Sequence, residues 1–290
     1  MDRYRNVRKR AAAGVFLLLF SLIMSFPVFA VTPGGEWEII SREGSDHSKN
    51  EAYKNALLKI LKENNSVLDK RKYTEYSKTV LALTAAGYDP GSFFGYDLLS
   101  RLDDDKMVTK QGLNGPVWAL IALDSGTYPS EKRSVYIAYI LERELPGGGW
   151  NMEGKGSPDP DTTAMAVTAL SNYTASDRKV NEAVSRGLRV LSSLQDAEGG
   201  YSSFGAKNAE SDAQVIIALT HAGIDIHDSQ FVKNGHTVLD DLMTYRCRDG
   251  SFRHVLTQES PDAIATEQAD LAFAAIRRIK NGKRPLYRIK

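Results

Sequence analysis

The sequence has few residues that could form covalent cross-links or a metal site. Cys247 is its only cysteine, so no disulfide can form within the chain. The five histidines are scattered along the chain: His47, His221, His227, His236 and His254. Zinc sites need several Cys, His or carboxylate ligands at short spacings, so the sequence predicts no zinc site, and it indicates no cofactor.

Proline, glycine and excess positive charge are also scarce. Ten Pro and 23 Gly are too few for a disordered chain, whereas 42% hydrophobic and 25% charged residues suit one large soluble domain. The net charge of the 290 residues is only +1, and the first 30 residues hold five basic residues and one acid. The remaining chain is therefore slightly acidic, at −3, which disfavours a nucleic-acid partner.

Residues 1–30 have the pattern of a secretory signal. A basic head precedes the apolar run from Val15 to Met24, Pro27 interrupts the run, and Ala30 is the small residue that a signal peptidase requires. We therefore expect a secreted or cell-surface protein. The stretch is also nearly long enough to be an uncleaved membrane anchor, which would be the chain's only contact with a membrane, and the sequence leaves both readings open.

The rest of the chain divides into three parts. Residues 31–48 are polar with one strand-like patch from Trp37 to Ile40, and we interpret them as a linker or strap. Residues 49–281 alternate between amphipathic and largely apolar helices, and residues 282–290 form a basic tail. The amphipathic helices are predicted over 50–63, 94–102, 131–145, 179–194 and 231–245, and the apolar ones over 75–86, 115–123, 162–173, 212–222 and 263–279.

This alternation indicates an all-α fold. A helix without a polar face is buried on all sides, so the apolar helices form an inner ring and the amphipathic ones an outer ring. Trp150, Tyr201 and Phe252 follow glycine turns at intervals of 51 residues, which is typical of stacked helical hairpins. We expect an α/α toroid of about five hairpins rather than a linear solenoid, because a solenoid would leave one face of each inner helix more exposed to solvent. The ring is incomplete unless residues 31–48 complete it.

Two motifs carry a family resemblance. Arg186-Gly187, Gln195 and Gly199-Gly200-Tyr201 together resemble the Gln–Trp repeat of squalene and oxidosqualene cyclases, and Gly148-Gly149-Trp150 resembles a second copy. Asp159 to Ala164 is similar to the Asp-x-Asp-Asp-Thr-Ala motif of those cyclases. Over residues 50–280 the chain resembles the terpenoid cyclase and protein prenyltransferase superfamily, which implies the toroid fold but not one chemistry.

The resemblance also implies candidate roles for residues. Asp161 matches the proton donor of the cyclases and Asp159 its partner, but Thr162 replaces the third acid of the motif. The run from Asp161 to Ala166 also resembles the inner helices of transcobalamin and intrinsic factor, secreted toroids that bind cobalamin. The implied ligand is therefore an isoprenoid, a corrinoid-like molecule or a protein. The prenyltransferase zinc ligands and the thioester motif of complement-type toroids are not found.

In a toroid the inner helices all begin at one mouth. There we expect a mostly acidic ring around an apolar throat that contains Trp118, Met165 and Tyr173. The candidate ligand-binding residues are Glu75, Tyr76, Gln111, Asn114, Trp118, Asp161, Met165, Glu210, Asp212 and Glu267. The alternative is that these acids only cap helices.

The resulting expectation is a non-catalytic protein that binds a ligand or partner at this mouth. A squalene-type cyclase with Asp161 as proton donor and a protein–protein interaction module are the alternatives.

Overall fold

The computed structural model describes residues 33–290, and this part of the chain contains eleven α-helices. The predicted all-α class is confirmed. The predicted signal at residues 1–30 lies outside the described residues. The helices are α1 (Glu36–Ser41), α2 (His47–Glu63), α3 (Thr74–Ala85), α4 (Asp105–Thr109), α5 (Asn114–Ser125), α6 (Arg133–Leu141), α7 (Pro160–Leu170), α8 (Arg178–Leu194), α9 (Ala209–His221), α10 (Val238–Thr244) and α11 (Ala263–Lys280).

The odd-numbered helices form the inner ring. Each contacts the next, from α1 through α3, α5, α7 and α9 to α11, and α11 contacts α1. The ring is therefore closed and has six inner helices. Nearly every residue of α5, α7 and α9 is buried, whereas α8 buries only one face. The alternation of buried and half-exposed helices is therefore as predicted. Within residues 33–290, no helix is both long enough and apolar enough to cross a bilayer.

The sixth inner helix, α1, lies where the sequence predicted a strand-like patch, and that prediction is wrong. Gly35 precedes α1 with a φ of 80°, and Ile39 and Ile40 are buried against the ring. A helix of six residues spans fewer than two turns, so its 3.6-residue period cannot be told from other patterns in the sequence. Residues within the predicted linker thus complete the toroid.

Two outer helices are shorter than predicted, because tight turns replace their beginnings. Phe94-Gly95 and Asn234-Gly235 both have positive φ at each residue, and the flanking residues pair as isolated β-bridges. Phe204-Gly205 forms the same kind of turn between two short strands, β1 (Ser202–Ser203) and β2 (Ala206–Lys207). Positive φ at two successive residues is the geometry of a type I′ hairpin turn. Because of these turns, the second outer helix begins later, as a 3₁₀ turn at Leu99–Asp103 followed by α4. The fifth outer helix likewise begins later, as α10.

The three aromatic residues of the repeat tie each glycine turn to the next inner helix. The backbone N–H groups of Trp150, Tyr201 and Phe252 donate to side chains at the beginnings of α7, α9 and α11, at 3.0, 2.9 and 3.0 Å. The acceptors are the side-chain oxygens of Thr163, Asp212 and Thr266. The repeat is thus also present in the hydrogen bonds, which supports a structural role for these aromatic residues.

The second glycine of the middle turn is required by packing. Gly199 has a φ of 92°, the left-handed conformation that favours glycine, but Gly200 does not. A Cβ on Gly200 would lie 2.0 Å from Asp241 Oδ2 and 2.4 Å from Lys207 Cε. Those two side chains are paired, with Lys207 Nζ 2.7 Å from Asp241 Oδ1, so neither can move freely.

The end of the ring opposite the mouth is closed by residues 283–290, most of the predicted basic tail. Leu286 and Tyr287 are buried. The N–H of Tyr287 donates to His221 Nε2 at 3.2 Å, and the N–H groups of Ile289 and Lys290 donate to the carbonyl of Ser125 at 3.0 and 2.9 Å. His221 and Ser125 are the last residues of α9 and α5. This segment is therefore part of the core.

Candidate ligand site at the mouth of the ring

The mouth is the end of the ring where the six inner helices begin, and several of its polar residues are helix caps. Asp159 accepts the N–H of Thr162 at 2.7 Å and the hydroxyl of Thr162 at 2.9 Å, so both of its carboxylate oxygens are used. Asp262 caps α11, and Asn208 caps α9. Helix capping therefore explains why Asp159 and Asp262 lie at the mouth.

Asp161 has a different environment. It lies in the first turn of α7, beside the hydroxyls of Ser203 and Ser211 and near His254. Its Oδ1 is enclosed and makes no hydrogen bond of ordinary geometry. Burial raises the pKa of Asp161, and the hydroxyls and His254 only partly offset that effect. This carboxyl can therefore keep a proton at a higher pH than an exposed aspartate.

Glu210 contacts a histidine, a partnership that the sequence did not indicate. Its Oε2 lies 2.7 Å from His254 Nδ1, and the N–H of Ala209 donates to the carbonyl of His254 at 3.1 Å. Burial raises the pKa of Glu210, and His254 lowers it. His254 comes two residues after the repeat aromatic Phe252, and only its place in the repeat could have drawn attention to it.

Glu75 and Glu267 lie on the other side of the mouth, around Lys78. Lys78 Nζ is 3.0 Å from Glu75 Oε2 and 3.6 Å from Glu36 Oε2. Burial raises the pKa of Glu267, with Lys78 lowering it and Glu36 raising it. This side holds more carboxylates than cations, so the mouth is acidic on both sides.

Two of the predicted site residues have structural roles instead. Tyr76 is buried, and its hydroxyl accepts the N–H of Leu68 at 3.0 Å. Gln111 accepts the N–H of Thr74 at 2.9 Å and donates to the hydroxyl of Thr74 at 3.1 Å, so it caps α3. The sequence places both near a helix beginning but does not show which way their side chains point.

Asp212 is also buried, in the wall of the toroid. Its Oδ1 accepts the N–H of Tyr201, and its other oxygen has no partner. Burial and the nearby carboxylate of Asp241 raise the pKa of Asp212 well above its usual range. Lys207 Nζ, 2.7 Å from Asp241 and 2.8 Å from Asp196, partly balances these acids. In the repeat, Asp212 takes the place of Thr163 and Thr266, which explains why its N-terminal position misled the prediction.

Below the mouth, aromatic side chains fill the throat. The ring centroid of Trp118 lies 5.4 Å from that of Trp37 and 5.7 Å from that of Tyr287, which in turn lies 5.5 Å from that of His221. We call these four residues the aromatic column. Tyr173 was expected in the throat but lies after the end of α7, where its hydroxyl donates to Asp124 at 2.8 Å.

Four residues complete the upper throat. Helical periodicity puts Met165 on the same face of α7 as Asp161, and Asn114 on the same face of α5 as Trp118. Both are partly buried, and the side-chain oxygen of Asn114 has no hydrogen-bond partner. Gln214 donates to Gln268 at 2.6 Å, which links α9 to α11. Asp161, Met165, Asn114 and Glu210 thus remain candidates for ligand contact.

In the described part of the chain, metal ligands do not cluster, and one apolar hollow lies away from the mouth. Among residues 33–290, no three His, Cys, Asp or Glu side chains are grouped so that they could hold a metal ion. A hollow of about 400 Å³ lies at the opposite end, against Ile224, Ile226, Ile276 and Ile279, beyond the ends of α9 and α11.

Residues 117–246 match the family model described as the squalene-hopene cyclase C-terminal domain. The match extends from α5 to just past α10 and includes Asp161, the Gln–Trp-like turn and the aromatic residues Trp150 and Tyr201. It supports the squalene cyclase-like terpenoid cyclase superfamily, so the resemblance predicted from the motifs is confirmed. No curated protein matches the sequence.

Proposed function

We propose that this squalene cyclase-like toroid is a non-catalytic protein that binds a ligand or partner at its acidic mouth. The observation that carries the proposal is the aromatic column. Trp118 is in ring contact with both Trp37 and Tyr287, so the throat beneath Asp161 is occupied by the protein's own side chains. A site that encloses a drug-sized or larger substrate needs about 300–1,000 Å³ of open volume, and side chains that occupy the throat work against this.

The chemistry of the mouth also supports binding over cyclisation. Protonation of an alkene needs a strong acid, and partner groups that hydrogen-bond to the carboxyl tune its acidity. The cyclase motif provides such a partner at Asp159, but here the hydroxyl and N–H of Thr162 use both oxygens of that residue. Asp161 instead has the hydroxyls of Ser203 and Ser211 and the nearby His254 as its polar neighbours.

We propose that this binding takes place outside the cytoplasm, because residues 1–30 have the pattern of a secretory signal. The intact mass of the protein isolated from its own host tests this. A mass that corresponds to a chain beginning at Val31 would show cleavage after Ala30. A full-length mass in the membrane fraction would show an uncleaved anchor, and a full-length mass in the soluble cell fraction would contradict the proposed location.

A cyclase with Asp161 as proton donor is the second candidate, and the raised pKa of Asp161 favours it. In this reading Asp161 would donate its proton to a terminal alkene, and the aromatic column would have to open to admit the chain. Incubation of the full-length protein with squalene, followed by gas chromatography and mass spectrometry, separates the two candidates. We expect no product. A cyclised product that Asp161→Asn abolishes would establish the cyclase.

The binding proposal is tested with protein purified from its own host. Native mass spectrometry should detect a bound molecule, and Asp161→Asn and Glu210→Gln should each reduce its occupancy at least threefold. Glu144→Gln is the matched control, because Glu144 pairs with Arg186 of the outer helix α8. Equal occupancy in all three variants, or no bound molecule in the wild type, would contradict binding at the mouth.

A further inference from the structure

The sequence contains three Asn-Gly pairs, and the structure gives each of them a different environment. They are Asn114-Gly115, Asn234-Gly235 and Asn281-Gly282. Asparagine is a chemically labile residue, and glycine after it leaves the backbone nitrogen without a neighbouring side chain to shield it. That nitrogen can attack the side-chain carbonyl carbon of the asparagine. The surroundings of the glycine nitrogen therefore decide which of the three pairs reacts.

The first pair, Asn114-Gly115, is enclosed by the fold. It lies in the first turn of α5, where Gly115 is buried and a Cβ on it would be 1.8 Å from the carbonyl oxygen of Val108. The side-chain oxygen of Asn114 is enclosed as well. The hydrogen bonds of the helix also prevent the backbone rotation that would bring the side chain to the next nitrogen. We therefore expect this pair not to react while the protein is folded.

The last pair, Asn281-Gly282, is exposed, but its nitrogen is engaged. Asn281 is the residue that ends α11, and the N–H of Gly282 donates to the carbonyl of Ile279 at 3.0 Å. The nitrogen must lose its proton before it can attack, and a hydrogen bond that holds this proton adds to the free energy needed. We therefore expect this pair to react slowly.

The middle pair, Asn234-Gly235, is both exposed and unengaged. It forms the tip of the tight turn whose flanking residues, Lys233 and His236, pair as a β-bridge. The N–H of Gly235 donates to no backbone carbonyl within residues 33–290. A Cβ on Gly235 would meet no atom within 4 Å, so the space around this residue is open. Of the three pairs, this one gives its glycine nitrogen the least protection.

We infer that Asn234-Gly235 is a site of spontaneous deamidation in the folded protein. The backbone nitrogen of Gly235 forms a bond to Cγ of Asn234, and the bond from Cγ to Nδ2 breaks. The proton of the attacking nitrogen passes through solvent to the leaving nitrogen, which departs as ammonia. The cyclic succinimide that remains takes up one water molecule and opens at either of its two carbonyl groups. Position 234 then holds an aspartate, or an isoaspartate in which the main chain runs through the former side chain.

The modification would act on the contact between two turns. Asn234 Nδ2 donates to the carbonyl of Ala197 at 3.4 Å, and a Cβ on Gly199 would lie only 2.5 Å from the carbonyl oxygen of Thr237. An aspartate would place a carboxylate against the carbonyl of Ala197 in place of a donor. An isoaspartate would add a main-chain atom to a two-residue turn whose geometry matches its flanking strands. Either product should loosen the packing of this turn on the middle glycine turn.

The test follows all three pairs in one sample. The full-length protein is incubated at pH 8 and 37 °C and digested with pepsin at low pH, where the reaction is slow. Mass spectrometry of the peptides detects the increase of about 1 Da that the change from amide to acid produces. We expect Asn234 to deamidate at least fivefold faster than Asn281, and Asn114 to remain unchanged.

A sample unfolded in urea is the control, because its three pairs have lost their different surroundings and should react at similar rates. Deamidation of the folded protein at Asn281 or Asn114 as fast as at Asn234 would overturn the inference. No mass increase at Asn234 in the folded protein, with reaction at all three pairs in urea, would also overturn it.

Variants at position 234 test the consequence for packing. Asn234→Gly keeps the positive φ and removes the reactive side chain, so its melting temperature should not change during incubation, whereas that of the wild type should fall by about 2 °C. Asn234→Asp should show this fall from the start. Asn65→Asp is the matched control, because Asn65 is exposed with a φ of 50°, and it should melt like the wild type. A fall that Asn234→Gly shares with the wild type, or equal losses for the two Asp variants, would contradict an effect on this contact.

Discussion

The two ends of the helix ring differ in how their charges are used. At the mouth, inner helices begin and acids predominate. At the far end they finish, and residues 277–290 contain seven basic residues and no acid. Helix dipoles favour this distribution at both ends. The sign of the charge therefore does not distinguish a site from a helix terminus.

Packing does distinguish the ends. At the far end Arg278 is buried, donating to the carbonyl of Arg284 at 2.9 Å and to Glu43 at 2.8 Å, and Tyr287 occupies the axis. At the mouth Asp161 and Glu210 remain partly exposed. The axis of the far end is therefore filled by packed side chains, with its apolar hollow beyond the ends of α9 and α11, whereas the mouth leaves polar groups partly exposed. Five variants test this difference.

The largest expected effect is at the far end, with Tyr287→Ala. Its ring is enclosed by Trp118 and His221, and replacing a buried large aromatic residue by Ala costs about 3–5 kcal/mol of unfolding free energy. Tyr287→Phe is the control, and it should be neutral or slightly stabilising because the hydroxyl is buried without a partner. Urea unfolding followed by circular dichroism measures both. A loss below about 1 kcal/mol for Tyr287→Ala would mean that the far end is not a packed core.

Gly200→Val should have the next largest effect, because it disrupts the middle glycine turn. The new side chain would collide with Asp241 and separate it from Lys207, so we expect a loss of about 3 kcal/mol from overpacking and a disrupted buried ion pair. Gly205→Val, where a Cβ meets no atom within 4 Å, should cost only about 1–2 kcal/mol for its positive φ. Equal melting temperatures for the two variants would refute the packing explanation.

His221 should make the far end sensitive to acid. Burial, with Arg288 and Arg278 nearby, lowers the pKa of His221 to about 3. The unfolded chain takes up a proton at this residue below about pH 6.5, but the folded chain does not until about pH 3. Its contribution to stability is therefore complete above pH 6.5 and falls by up to about 1.4 kcal/mol per pH unit below it.

The comparison with His221→Gln isolates this contribution. Glutamine can still accept the N–H of Tyr287 but does not titrate. The free energy of unfolding of both proteins is measured at pH 7, 6 and 5. The wild type should lose more stability on acidification than the variant, and parallel curves would assign the acid sensitivity to other groups.

Asp212, near the mouth, should give the opposite pH dependence, and Asp212→Asn should remove it. The raised pKa means that the folded chain holds the proton of Asp212 more tightly than the unfolded chain does. The contribution of Asp212 to stability is therefore greatest below about pH 4 and declines as the pH rises. Asparagine keeps the acceptor for Tyr201 and can donate to Asp241, which should add about 1 kcal/mol at pH 8. Denaturant unfolding at pH 4 and pH 8 tests this. A variant that is less stable than the wild type at pH 8 would contradict it.

Phe204→Ser should have the smallest effect on stability, within about 0.5 kcal/mol, because an exposed residue contributes little to the folded state. Thermal unfolding monitored by circular dichroism is the measurement. A large loss of stability would show that the ring of Phe204 is a packing element.

Much of the fold could be predicted from the sequence, because helix periodicity and the 51-residue spacing of Trp150, Tyr201 and Phe252 are local patterns. The closure of the ring could not. Helix α1 is too short to show a period, and the burial of Tyr287 depends on contacts with α5 and α9, far away in the chain. A basic segment reads as solvated unless its carbonyl and arginine partners are known.

The site was predicted less well, for a geometric reason. All first-turn residues lie near the mouth, but helical rotation decides whether they face the opening or the wall. Asp161 and Asp212 both occupy first turns with similar sequences, and only the structure shows that Asp212 points into the wall. The partnership of Glu210 with His254 joins two repeats, which no local pattern reveals.

The closure of the ring through α1 has a consequence for folding. Arg277 donates to the carbonyl of Ser41 and Arg278 to Glu43, and these contacts join residues 236 and 235 positions apart. Bringing together ends so distant costs about 5 kcal/mol of chain entropy, whereas each neighbouring hairpin closes over a much shorter loop. During synthesis α1 can pack against α3 early, but its contacts with α11 cannot form until α11 is made. We therefore expect the hairpins to assemble first and the joining of α1 to α11 to be the slow step in folding.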